Sequence, residues 1–108
     1  MVKFIYHYRG YHGCDSKCGV EIIEDRNGQV TVIFTELLCN QGTSITNMIE
    51  KLATEIYYKY LSHKPVNDIR WLEHYPKDFF GGETYDEVSL EWDGEKFIRP
   101  KWKRIYKI

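Results

Sequence analysis

The chain has 108 residues, of which 43% are hydrophobic and 29% charged, with a formal net charge of −1 at pH 7. That length makes one domain spanning 1–108, that composition excludes an intrinsically disordered segment, and that charge provides no overall field to draw in nucleic acid or an anionic membrane. Aromatic residues reach 16%, with nine tyrosines and three tryptophans. Such an excess suits either a small core built from large side chains or a half-exposed sheet face used for contact.

Along the chain, Lys3 to Arg9 alternates Phe4, Tyr6 and Tyr8 against Ile5 and His7, the period of a strand. Gly10 to Gly19 has three glycines among polar residues and reads as a loop. Val20 to Glu24 reads as a second strand. Asn27-Gly28 can take the positive φ angles of a tight turn, so Val30 to Leu37 is the expected antiparallel partner.

Ile45, Ile49, Leu52, Ile56 and Tyr60 recur at helical spacing, with Met48, Ala53 and Leu61 widening the stripe. Glu50, Lys51, Glu55, Lys59 and Ser62 occupy the other side, and Glu55 with Lys59 forms a favourable i,i+4 pair. This predicts one amphipathic helix from about 44 to 62, capped by Thr43 or Ser44 and ended at Lys64-Pro65.

Asp68 to Tyr75 reads as a strand stopped by Pro76. Lys77 to Thr84 reads as an irregular loop. Glu87 to Trp92 alternates, Asp93-Gly94 is a turn signal, and Lys96 to Arg99 returns from it, with Lys101 to Ile108 as a further strand or an ordered tail. The fold class is therefore α+β: an antiparallel sheet of five to six strands with one helix packed on one face, in the order β-β-β-α-β-β-(β). In that arrangement the tyrosines would lie partly on the face opposite the helix.

Three groups of residues carry candidate chemistry. The turn before the helix, with Gly42, Thr43, Ser44, Thr46 and Asn47, offers free backbone N–H groups and hydroxyls to an anion, so a phosphorylated small molecule or nucleotide is one candidate ligand. It lacks the glycines and lysine of a phosphate-binding loop, and a well-capped helix start looks the same. Cys14 and Cys18, with His12, have donor types and a spacing compatible with zinc, although a fourth ligand is not evident and reduced thiols are the ordinary alternative. Lys101, Trp102, Lys103, Arg104 and Lys107 interleave cations with aromatics, as a nucleic-acid contact requires. The acidic strand before them would cancel part of that charge across the hairpin.

His7, His12, His63 and His74 are scattered, and Glu73 and His74 are neighbours on a strand whose side chains point to opposite faces. No nucleophile or carboxylate pair has a catalytic setting, so no catalytic residue is assigned and no cofactor is called for. The expectation is a small non-catalytic binding or regulatory module that acts on a protein partner through an aromatic-rich sheet face. Nucleotide or nucleic acid is the alternative partner, and a membrane is not expected. Residues 1–9 lack the unbroken apolar stretch of a signal peptide, and the three cysteines are an odd number, which points to the cytoplasm.

Overall fold

The computed structural model describes residues 2–9, 15–38, 45–75 and 82–105. Six strands, β1 (Val2–Arg9), β2 (Asp15–Glu24), β3 (Val30–Leu38), β4 (Ile69–Tyr75), β5 (Thr84–Trp92) and β6 (Phe97–Ile105), form one sheet in chain order, with the helix α1 (Ile45–Ile56) between β3 and β4. The small α+β fold read from the sequence is the fold observed. Its sheet is mostly antiparallel, with one exception: β3 and β4 run parallel, from Val30↔Ile69 to Thr35↔His74. A parallel neighbour needs a crossover connection, and α1 is that connection.

Local signals account for most of the elements, and pairing partners account for the departures. The loop between β2 and β3 is longer than a two-residue turn. Asp25 Oδ1 accepts from the Asn27 N–H at 2.8 Å and the Gln29 N–H at 3.0 Å, and Gly28 supplies the positive φ of 82° that closes the loop. β2 begins at Asp15, inside the stretch expected to be a loop, because β1 pairs with it as far as Arg9↔Asp15. Its register with β3 shifts between Lys17 and Gly19. Gly19 is required there, since a Cβ at that position would run into Thr35 Oγ1.

The helical segment also departs from a single α-helix. α1 ends at Ile56 and a π-helical turn covers Tyr57–Leu61. The buried residues Met48, Ile49, Leu52, Ala53 and Ile56 keep α-helical spacing, and the next buried one is Leu61, five residues on. A wider turn serves that step, and it leaves Tyr60 39% exposed instead of in the core stripe. Ile45, at the other end of the expected stripe, is also exposed.

The helical segment, α1 with its π-helical turn, touches both edges of the sheet. Thr54 Oγ1 accepts from the Phe97 N–H at 3.0 Å and Glu50 Oε1 from the Arg99 N–H at 3.2 Å on β6, while the Tyr60 and Phe4 rings meet at 5.3 Å on β1. Six strands laid flat span about 24 Å, more than twice the width of a helix. The sheet must therefore curl around α1.

The concave side holds the core: Cys18, Val20 and Ile22 on β2, Val30, Val32 and Phe34 on β3, Ile69 and Trp71 on β4, Val88 and Phe97, all packed with the buried face of α1. The aromatics expected on the helix-free face are mostly here or on the helix. Phe4, Tyr6, Tyr57, Trp92 and Trp102 pack against this cluster. By strand alternation, Tyr85 is the one tyrosine on the convex face among the described side chains, stacked on His74 at 4.4 Å.

Candidate functional site

Only some of the residues singled out for anion, metal and nucleic-acid binding lie among the described residues. Thr46 and Asn47 lie exposed in the first turn of α1, and Gly42, Thr43 and Ser44 lie outside the described residues. Cys18 is fully buried in the concave core, its Sγ 3.5 Å from the Thr35 carbonyl oxygen, and His12 and Cys14 lie outside the described residues. No group of potential metal ligands occurs among the described residues.

The basic C-terminal segment divides between the two faces of β6. Lys101 and Lys103 are exposed on the convex face, Trp102 and Arg104 turn to the concave side, and Lys107 lies outside the described residues. Trp102 donates its indole N–H to Glu73 Oε2 at 2.7 Å, and Arg104 donates to Asp86 Oδ1 at 3.0 Å. The tryptophan and one cation of the expected nucleic-acid contact are therefore engaged within the fold. Charge cancellation across the β5–β6 hairpin is also observed, with Asp86 opposite Arg104 and Glu87 opposite Lys103.

Those bonds belong to a polar group built on two buried carboxylates, Glu73 and Asp86, on the concave side at the end of the sheet where β4 finishes. Glu73 is 2% exposed and sits directly opposite Asp86 across the β4–β5 pair. Burial pushes its carboxyl above the usual carboxylate range, hydrogen bonds from Tyr75 and Trp102 oppose that shift, and the Asp86 charge adds to it. Tyr75 is raised in turn, first by burial and then by its bond to Glu73. The Arg104 guanidinium lies 5.8 Å from the centre of the Tyr75 ring. Glu73 on β4 and Asp86 on β5 each accept from a side chain of β6, so the group ties β4, β5 and β6 together, and no Ser or Cys nucleophile is part of it.

The two edges of the sheet differ in what they offer another molecule. β6 is blunted. Its register slips between Ser89 and Glu91, opposite Arg99 at a φ of 52° and Pro100, which has no N–H. Its Phe97 and Arg99 N–H groups are already bonded to α1. β1 has none of these features. It pairs with β2 through eight consecutive residues without a shift, and no described residue pairs with its outer side. A strand edge of that kind presents a row of backbone donors and acceptors ready for another strand.

Side chains reinforce the contrast. On β1, Val2 is 46% and Ile5 55% exposed. Phe4, Ile5, Tyr6 and His7 line a groove of about 130 Å³ against Glu55, Ile56, Lys59 and Tyr60 of the helical segment. The Phe4–Tyr6 alternation was visible in the sequence. That β1 forms an edge was not, because strand order depends on pairings between distant segments. No protein-family model matches this chain, and comparison with curated proteins and with solved structures finds no match.

Proposed function

We propose that this chain is a small non-catalytic protein-binding module, and that its contact surface is the outer edge of β1 with the adjoining groove against the helix. The carrying observation is the unblunted edge: eight residues in unbroken register, two of them exposed aliphatics, beside a partly exposed Phe4–Tyr60 pair. Main-chain hydrogen bonds along such an edge supply affinity, and the alternating side chains supply selectivity. Tyrosine and phenylalanine add contact area at low entropic cost. This surface replaces the convex face as the site of the aromatic contact expected from the sequence.

A cytoplasmic setting is part of the proposal and rests on the odd number of cysteines, three. No helix among the described residues is long and apolar enough to cross a membrane.

The test compares wild type with Ile5→Lys, which places a charge on the exposed centre of β1, and with Lys103→Glu on the convex face of β6. Each is used as bait in the source cell, and captured proteins are quantified by mass spectrometry. A partner held by wild type and Lys103→Glu and lost from a folded Ile5→Lys supports the edge. Equal capture by all three overturns it.

A further inference from the structure

We propose that the protein docked on the β1 edge is a second copy of this chain, joined about a two-fold axis through Ile5 so that two six-stranded sheets continue into one. This rests on the reading of β1 as the docking edge and adds the identity of its occupant. In an antiparallel pair, directly opposed side chains share a face of the sheet. Both copies keep their helices on the same side only when concave residues meet concave residues. Symmetric registers that satisfy this centre on Phe4, Ile5 or Tyr6.

Charge and length choose among the three. Centring on Tyr6 sets Lys3 against Arg9 of the second copy at both ends of the ladder, and directly opposed like charges are unfavourable. Centring on Phe4 shortens the ladder to Val2 through Tyr6. Centring on Ile5 pairs Val2 through Tyr8, and it places the most exposed aliphatic side chain of β1, Ile5, on its own symmetry mate. Phe4 then faces Tyr6 of the second copy twice on the concave side, next to Tyr60. Lys3, which faces His7 of the second copy, is already paired with Glu21 at 2.9 Å.

The helical flanks are self-complementary about the same axis. β1 and β3 point the same way, because each is antiparallel to β2, and α1 returns from the end of β3 to the start of the parallel β4, so it runs opposite to β1. Tyr60 meets Phe4, so Lys59 lies toward the Phe4 end of the groove and Glu55 toward the His7 end. A two-fold axis at the level of Ile5 brings Glu55 of each copy toward Lys59 of the other. Opposite charges thus meet twice, where an unrelated strand would need to supply the match.

Sedimentation equilibrium over a wide concentration range tests the proposal. Wild type is expected to dimerise. Ile5→Lys, which puts two ammonium groups face to face on the axis, is expected to weaken self-association by roughly a hundredfold. Lys59→Glu should weaken it less, and Glu55→Lys combined with Lys59→Glu should restore it, because the exchanged pair is again complementary. Mild oxidation of Ile5→Cys should give a covalent dimer above the background of the three native cysteines.

A monomer at all concentrations overturns the proposal, and so does a dimer that a folded Ile5→Lys leaves intact. A monomer whose captured partner is nonetheless lost in Ile5→Lys overturns the second copy alone and leaves the docking edge standing. If neither self-association nor capture responds to Ile5→Lys, both readings fall.

Discussion

The sheet divides at the β3–β4 pair into two three-stranded meanders that solve the same problem differently. In the first, β1 to β3, the concave face is apolar through Cys18, Val20, Ile22, Val32 and Phe34. In the second, β4 to β6, Trp71, Val88 and Phe97 give way toward one end to Glu73, Asp86, Trp102 and Arg104. Apolar packing asks only for volume and shape, whereas buried charge asks for a named partner at a fixed distance. The first half should therefore tolerate volume-conserving changes and respond to lost volume, and the second should respond to the loss of single donors and to pH.

The largest effect is expected at Phe34. Its ring is fully buried and stacks on Trp71 at 5.8 Å across the seam between the halves. Phe34→Ala should cost about 3–5 kcal/mol, read as the midpoint of urea unfolding, because transfer free energy and a cavity are lost together. Phe34→Leu should cost far less. If the two variants are equally damaging, the first half is not governed by volume and the contrast fails.

The contrast between halves also marks what could be read from the sequence. The β2–β3 and β5–β6 hairpins, the helix and the alternation of β1 follow from local signals: Asn27-Gly28, Asp93-Gly94, and apolar spacing at periods near two and four. The parallel contact of β3 with β4 has no local signature, since it arises from the crossover. β2 reaches Asp15 despite the glycines before Gly19, because β1 supplies a pairing partner. Tyr60 left the core stripe because the chain widens into a π-turn, and no side-chain period announces that. Of the candidate sites, Thr46, Asn47, the convex lysines and Arg104 kept an accessible placement among the described residues, Arg104 while bonded to Asp86. Trp102 and Arg104 read as surface contacts in sequence because their acceptors, Glu73 and Asp86, are 29 and 18 residues away.

The second half is probed by its donors. Trp102→Phe keeps the aromatic volume and removes the indole N–H from a carboxylate that is 2% exposed. A hydrogen bond to a charged, buried acceptor contributes about 1.5–3 kcal/mol, so a loss in that range is expected by urea unfolding at neutral pH. The same variant should lose less at acid pH, where Glu73 carries a proton and no longer presents an unmatched charge. A loss that does not change with pH would mean that Trp102 acts through packing alone.

The smallest effect, and the one that isolates the charge itself, is expected from Glu73→Gln. Because burial raises the Glu73 carboxyl in the folded protein, the folded state holds that proton more tightly than the unfolded chain does. Its favourable contribution is complete below the unfolded value of 4.5 and is lost as pH rises through the higher folded one. Glutamine keeps an oxygen for the Trp102 indole and carries no charge, so this decline should disappear from the stability profile and the variant should melt slightly above wild type at neutral pH. The other shifted carboxyls, Glu24 and Asp93, are lowered, Glu24 by Lys64 and Asp93 by the Glu95 and Lys96 N–H groups, so their contributions appear above the unfolded values and vanish as pH falls. They bend the profile in the opposite direction, so the difference between Glu73→Gln and wild type, rather than either curve alone, carries the answer. A difference that stays flat from acid to neutral pH would show that Glu73 is ionised in the folded protein as readily as in the unfolded chain.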